Sequence, residues 1–158
     1  MEILPREARS SMMRERKGRA YMVWVIIILA GMGFYISTYF TLVAYGVVSA
    51  TTRLMPSVCR LDERSCQSVL YTPYARLFGA PNFVLGLFYY ALILVSAAGG
   101  WLASSPTLLI GLRGLAWATV VLGLYLTYAL IERVRVHCLL CYAAHVINLA
   151  LAICLTLV

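Results

Sequence analysis

The chain has 158 residues, enough for one domain. Its 63% hydrophobic residues, 12% charged residues and mean hydropathy of +0.87 exclude an ordinary water-soluble globular protein. The net charge of +7 would suggest nucleic-acid binding in a soluble domain. Here, however, many of the basic residues lie in the first twenty positions, beside a long apolar run. We therefore expect membrane lipid, and no nucleic acid, as their partner.

Four stretches contain no Asp, Glu, Lys or Arg, and each has the length, or nearly the length, of a membrane-spanning helix. They are residues 20–52, 77–112, 114–131 and 136–158. A hydrocarbon core of about 30 Å takes about 20 helical residues to cross. The sequence therefore predicts an all-α membrane protein, with a basic N-terminal tail at 1–19 and a single four-transmembrane-helix bundle at 20–158.

The predicted elements begin with a first helix at about 21–50, followed by a polar loop. Next comes VLYTPYARLFGAPN, which is apolar and aromatic but interrupted by Pro73, Gly79 and Pro81. Because it is too short to cross the membrane, it predicts a re-entrant or interfacial half-helix between helices one and two. The remaining helices are expected at about 82–103, 106–131 and 138–157.

The turn between the second and third helices is marked by SSP at 104–106. Ser105 suits the N-cap of the third helix, and Pro106 suits its first position. A short loop, ERVRVH, precedes the fourth helix. Short connections of this kind predict an up-down-up-down bundle.

This topology places the loop between helices one and two on the same membrane side as the loop between helices three and four. Cys59 and Cys66 therefore share a side with Cys138 and Cys141. The side of the two termini carries seven Lys and Arg residues and the other side six. Counting positive charges favours cytoplasmic termini only slightly, so the orientation stays open.

The stretch HCLLCYAAH, residues 137–145, opens the fourth predicted helix. Cys138 and Cys141 are three positions apart and share a helix face. The free N–H groups and the dipole at a helix start stabilise a thiolate, which is what a redox dithiol needs. The second pair, Cys59 and Cys66, lies on the same side, so the four cysteines suggest a relay by thiol–disulfide exchange.

Other uses of these residues are weighed against the relay. Four cysteines could close a zinc site with His137 or His145 in reserve, but zinc sites rarely take one pair from the entrance of a membrane helix. A c-type haem requires Cys-x-x-Cys-His, and Tyr142 stands in the place of that histidine. Cys154 is expected to be a packing residue. No metal is expected, and a non-catalytic tetraspan protein with structural or zinc-binding cysteines is the alternative from another class.

Polar residues continue along the same face of the fourth helix at His145 and Asn148. Such a stripe must face the bundle or a cavity, because lipid offers polar groups no partner. His145 is either a hydrogen-bonded core residue or a ligand-binding residue. Asn82 is similarly either a structural residue at the start of the second helix or an amide that binds a ligand.

Two segments taken together resemble a known family. CRLDERSCQSVLYTPYARLFGAPNFVLGLFYY and HCLLCYAAH are similar to the vitamin K epoxide reductase family, in its small stand-alone prokaryotic form. The resemblance covers about residues 20–155. It implies a four-helix membrane bundle around a quinone of the menaquinone or ubiquinone type. It also implies a separate thioredoxin-like protein as the redox partner.

The resemblance implies a role for each cysteine of the two pairs. Cys138 and Cys141 match the active-site pair, with Cys141 facing the quinone. Cys59 would exchange with the partner protein, and Cys66 would pass electrons to Cys138. On this basis we expect a quinone-dependent thiol oxidoreductase that generates disulfides. Reduction of a quinone or a quinone epoxide as the physiological activity is the alternative within the same chemistry.

Three further positions gain expected roles from the resemblance. Asn82 matches a residue that hydrogen-bonds one quinone oxygen, and Thr72 stands where many members have a serine beside the active-site disulfide. His145 replaces a tyrosine that contacts the quinone in vertebrate members. A histidine there can donate a hydrogen bond and could also supply a proton.

The resemblance and the chemistry together suggest a multi-pass protein of the cell membrane. Disulfide generation normally faces an oxidising exterior, so we expect an extracytoplasmic active site. The near-even distribution of positive charge leaves an inverted arrangement, with a cytosol-facing site, as the alternative.

Overall fold

The computed structural model describes residues 6–48, 69, 72–77 and 79–158; in the first helix, side chains are described from Arg14 onward, except Glu15. The helices are α1 (Arg6–Ala44), α2 (Asn82–Ala98), α3 (Trp101–Ser104), α4 (Pro106–Tyr128) and α5 (Leu139–Leu157). A π-helical segment, Ala129–Val134, extends α4. A 3-10 turn at Pro73–Ala75 precedes an antiparallel pair of two-residue strands, β1 (Arg76–Leu77) and β2 (Ala80–Pro81).

Within the described residues, three helical segments are long and apolar enough to cross a membrane: Arg16–Ala44, Pro106–Val134 and Leu139–Leu157. α2 is also apolar but has only 17 residues. The prediction of an all-α membrane protein is therefore confirmed. A fourth span and a half-helix before α2 stay predictions, and parts of the segment expected to form that half-helix lie outside the described residues.

α1 starts earlier than the predicted range of 21–50. It begins at Arg6, directly after Pro5, and continues without a break through most of the segment expected to be a tail at 1–19. That segment is rich in Arg, Glu and Met, which favour a helix, and it has no proline after its fifth residue. The basic segment is therefore a helical extension of the first span.

Two glycines end helices earlier than predicted. α1 ends before Gly46, whose φ of 71° is left-handed, and the Val47 N–H donates to the Leu42 carbonyl at 2.9 Å. This is the hydrogen-bond pattern of a Schellman C-cap. α2 ends at Ala98, short of the predicted 103, because Gly100 adopts a φ of 72°. In both places a backbone conformation that glycine adopts without strain turns the chain out of the helix.

Two predicted helix starts are confirmed. The Ser105 side chain accepts a hydrogen bond from the Leu108 N–H at 3.4 Å, and Pro106 is the first residue of α4. α5 begins at Leu139 with Cys138 as its N-cap. The start of α4 follows from local capping chemistry, which is why it could be predicted from the sequence.

The core lies where α1 packs against α2 and α5, and where α5 packs against α4. Within α1, α2, α4 and α5 the residues with no exposed surface are mostly apolar: Ile26, Ala30, Ile93, Ser96, Ala116, Leu151, Ala152 and Leu155. α5 therefore contacts helices on both sides, and its polar stripe faces the interior of the bundle.

α4 and α5 run in opposite directions, as the up-down order predicts. The Arg113 Nε donates to the Leu155 carbonyl at 2.6 Å, near the start of α4 and the end of α5. Further along, Gly123 lies against His145. Since α2 ends close to where α4 begins, α2 and α5 both start at the opposite end of the bundle. That end carries the Cys-x-x-Cys pair.

Candidate functional site

Cys138 and Cys141 form a disulfide at the first turn of α5, with their Cα atoms 5.2 Å apart. The Cys138 sulfur also accepts a hydrogen bond from the Cys141 N–H at 3.3 Å, so it caps the helix. Cys138 has no exposed surface, whereas Cys141 is half-buried. The pair thus presents one enclosed and one more accessible sulfur.

Two aromatic side chains stand beside this disulfide. The His137 Nδ1 lies 3.3 Å from the Tyr142 hydroxyl oxygen, and the two ring centroids are 6.5 Å apart. His137 is exposed and Tyr142 is half-buried. Tyr142, which excludes a haem attachment by its position, therefore contacts His137 at the rim of the site.

The polar stripe on α5 points into the bundle, as predicted. His145 and Asn148 are half-buried, while Val146 and Leu149 on the other side of the helix are exposed. The Asn148 Oδ1 accepts a hydrogen bond from the Tyr90 hydroxyl at 2.6 Å. The stripe is therefore connected to α2 through a partly buried hydrogen bond.

His145 differs from Asn148 in its hydrogen bonding. Its Nδ1 is buried and has no hydrogen-bond partner within the described part of the chain. The ring lies against Gly123 of α4, so close that a Cβ at that position would be 2.8 Å from Nδ1. Unpaired buried polar atoms are rare in proteins, and each one calls for an explanation such as a ligand.

Asn82 is the first residue of α2, and its amide has a defined orientation. The Nδ2 group donates to the Tyr74 carbonyl at 2.8 Å. Because a carbonyl only accepts hydrogen bonds, this contact assigns the nitrogen and oxygen of the amide. Oδ1 is buried without a partner among the described residues. The structural role and the ligand role of Asn82 are thus compatible, because Nδ2 carries a second N–H besides the one that binds the Tyr74 carbonyl.

Thr72 caps the turn that precedes β1. Its hydroxyl donates to the Val69 carbonyl at 2.8 Å, and its N–H approaches the same carbonyl at 3.2 Å. Val69 and Cys138 both belong to the buried cluster. The expected position of Thr72 beside the disulfide stays a prediction. Cys59 and Cys66, the expected loop pair, lie outside the described residues.

The hydrogen bond between Tyr90 of α2 and Asn148 of α5 fixes the positions of the candidate residues relative to one another along the helix axes. Asn82 lies eight residues before Tyr90, and Cys141 lies seven residues before Asn148. With a rise of 1.5 Å per residue, these separations are roughly 12 and 11 Å along the two helices. Asn82 and the disulfide are therefore at a similar depth, and His145 is about one turn deeper.

Among residues 6–48, 69, 72–77 and 79–158, no three His, Cys, Asp or Glu side chains lie together as metal ligands. The four-cysteine zinc arrangement would need Cys59 and Cys66, which are outside these ranges. Cys154 is a free, half-buried cysteine near the far end of α5. It lies more than three helical turns from Cys141, since thirteen residues separate them.

Sequence reasoning missed two participants in this region, Gly123 and Tyr90. Glycine in a membrane helix often marks a close helix–helix approach, but α4 has several glycines and the sequence does not indicate which one meets His145. Tyr90 is one of 11 tyrosines, most of which were expected to pack or to lie at the membrane interface. Their partners are distant in sequence, so periodicity carries no signal for them.

Comparison with known protein families gives one match. The model described as "Vitamin K epoxide reductase family" matches residues 24–156, which extend from α1 through nearly all of α5. No curated protein matches the chain.

Proposed function

The chain belongs to the vitamin K epoxide reductase family, and we propose that it is a quinone-dependent thiol oxidoreductase of the membrane. In this proposal it generates disulfides in a separate thioredoxin-like protein. The observation that carries the proposal is the Cys138–Cys141 disulfide at the first turn of a helix inside an apolar bundle. An oxidised dithiol in that position can accept electrons from a thiol and pass them to an acceptor in the membrane.

The polar groups near the disulfide fit a quinone. A quinone is a flat apolar ring with two carbonyl oxygens, which need hydrogen-bond donors. The Asn82 amide has a second N–H beyond the one bound to Tyr74, and His145 has a ring nitrogen other than the buried Nδ1. These N–H groups would donate to the quinone oxygens, whereas the unpaired Asn82 Oδ1 is itself an acceptor and cannot bind a quinone oxygen. A bound quinone of the menaquinone or ubiquinone type would supply the two-electron acceptor.

We propose that electrons reach this disulfide through the loop cysteines. A thiolate of the partner attacks Cys59 in a Cys59–Cys66 disulfide, and the second partner thiol then releases the partner in its oxidised form. The freed Cys66 thiolate attacks the Cys138 sulfur, which breaks the Cys138–Cys141 bond and leaves Cys141 as a thiolate. Cys59 then attacks Cys66, which restores the loop disulfide and leaves Cys138 reduced as well.

The start of α5 stabilises both of the thiolates that these reaction steps produce, those of Cys141 and Cys138. Cys141 lies in the first helical turn, where unpaired backbone N–H groups and the helix dipole favour negative charge. The Cys138 sulfur already accepts a hydrogen bond from the Cys141 N–H, and a thiolate would strengthen that bond. Cys138 is fully enclosed, so attack on it requires a movement that uncovers the sulfur. Transfer of two electrons and two protons to the acceptor re-forms the Cys138–Cys141 bond.

The mechanism is tested with the purified full-length protein, a reduced thioredoxin-like protein and a short-chain ubiquinone. Quinone reduction is monitored by the loss of quinone absorbance. We expect the amount of quinone reduced to equal the amount of partner protein oxidised. Cys141→Ala should abolish this turnover, because no intramolecular disulfide can then form at the start of α5. Cys154→Ala is the matched control and should retain turnover. Full turnover by Cys141→Ala would show that the mechanism is wrong.

We also propose that α2 is the fourth span, although it is the shortest. Its 17 residues extend over roughly 26 Å, close to the thickness of a hydrocarbon core. In this arrangement the active site is extracytoplasmic and both termini are cytoplasmic. A reporter fused after Val158 should therefore be active only as a cytoplasmic reporter, and one fused after Arg135 only as an exported one. The opposite pair of results would establish the inverted arrangement.

A further inference from the structure

The contact between His145 and Gly123 has a chemical consequence for the candidate quinone site. A Cβ on Gly123 would lie 2.8 Å from Nδ1 and 3.3 Å from Cγ of the imidazole. Real Cβ atoms do not approach another atom as closely as 2.8 Å, so only glycine at 123 admits the ring in this position. The close approach of α4 therefore determines where the His145 ring lies.

The same contact leaves one ring nitrogen without a partner. Nδ1 is buried against α4, and no hydrogen-bond acceptor or donor reaches it among the described residues. A neutral imidazole has one N–H and one lone pair, whereas an imidazolium has two N–H groups. A buried unpaired N–H is rarer in proteins than a buried acceptor with an unused lone pair. Both the Nδ1-protonated tautomer and the imidazolium are therefore disfavoured here.

We propose that Gly123 is a positioning residue that keeps His145 neutral and protonated at Nε2. This proposal rests on the proposed function in one respect: a quinone carbonyl is taken as the acceptor of the hydrogen bond from Nε2–H. His145 then holds the quinone with a single hydrogen bond and does not deliver a proton to it. The expectation that a histidine at this position could supply a proton is replaced by a purely binding role.

The tautomer is measured directly on the protein, without reference to activity. The chain has two histidines, so a full-length His137→Gln variant labelled with ¹⁵N-histidine reports on His145 alone. We expect the nitrogen resonances of a neutral imidazole with the proton on Nε2. Resonances of the Nδ1-protonated tautomer, or of an imidazolium at neutral pH, would overturn the proposal.

Substitutions of His145 test the binding role. Glutamine places an amide N–H near the position of Nε2 and asparagine places one near Nδ1, and neither can supply a proton at neutral pH. His145→Gln should raise the KM for quinone by no more than about threefold, since it keeps the hydrogen bond. His145→Asn should raise that KM about five- to tenfold, which corresponds to the loss of one hydrogen bond. A loss of kcat in His145→Gln equal to that in His145→Ala would overturn the proposal.

Gly123→Ala tests the positioning role against a control on the same helix. Gly114→Ala adds the same methyl group where nothing lies within 4 Å. Gly123→Ala should raise the KM for quinone and shift the His145 resonances, and Gly114→Ala should do neither. Equal behaviour of the two variants would overturn the role of Gly123. If instead the tautomer is as expected but Cys141→Ala retains full turnover, the proposed function fails and the assignment of His145 stands.

Discussion

Asn148 and His145 are one helical turn apart on the same polar stripe, but their surroundings differ. The Asn148 side chain accepts a hydrogen bond from Tyr90, a residue with 2% exposure. The Tyr90 ring in turn packs against Gly33 of α1. The Nδ1 of His145 has no such partner among the described residues. A polar residue in a membrane helix can therefore be a structural connection when it is paired and a ligand site when it is not.

The largest expected effect on stability comes from a substitution that crowds Tyr90, the hydrogen-bond partner of Asn148. Gly33→Ala would place a Cβ into the ring of Tyr90, so we expect it to lower the free energy of unfolding by about 2–3 kcal/mol. The measurement is chemical or thermal unfolding of the full-length protein in detergent. Gly31→Ala is the matched control, because nothing lies within 4 Å of its added Cβ. Equal stability of the two variants would mean that Tyr90 is not held tightly between the helices.

A smaller effect is expected when the hydrogen bond itself is removed. Tyr90→Phe leaves the Asn148 Oδ1 without its donor, and we expect a loss of about 1–2 kcal/mol of unfolding free energy. The KM for quinone should change little, since Asn148 is not part of the proposed quinone site. The double variant Tyr90→Phe/Asn148→Leu should recover part of the lost stability, because both polar partners are then absent. No difference between Tyr90→Phe and wild type would contradict the structural role of this bond.

The smallest effect on stability is expected at His145. A substitution there should not lower the free energy of unfolding, unlike the two substitutions above. His145→Leu removes an unpaired polar atom, so the unfolding free energy should stay the same or rise by up to about 1 kcal/mol. The KM for quinone should rise at the same time, as expected where function is kept at the expense of stability. Asn148→Leu should instead be destabilising while retaining quinone binding. If both leucine variants lose stability and keep the same KM, the distinction between the two residues is wrong.

Much of the helix layout could be predicted because its causes are local. Charge-free stretches identified α1, α2, α4 and α5 and placed the start of α5 to within a residue, and the capping chemistry at Ser105 placed the start of α4. The errors are local as well. α1 begins at Arg6 and not at residue 21, because the basic segment before it favours a helix. α1 and α2 end before their predicted last residues, because Gly46 and Gly100 adopt positive φ angles.

The candidate site was predictable to a lesser degree. Spacing alone placed Cys138 and Cys141 on the first turn of α5 and aligned His145 and Asn148 below them. It did not indicate that Cys138 would be the enclosed member of the pair. Nor did it indicate that Asn82 would use one half of its amide to hold the Tyr74 carbonyl.

The sequence by itself determined which chemical groups share one face of α5, because a helical repeat of 3.6 residues depends only on local backbone geometry. Only the tertiary structure decided which of those groups find a partner. Tyr90 and Asn148 are 58 residues apart, and Gly123 meets His145 across a helix–helix contact. Such pairings depend on how whole helices pack. Packing separates a hydrogen-bonded asparagine from a histidine, one turn away, whose Nδ1 has no partner among the described residues.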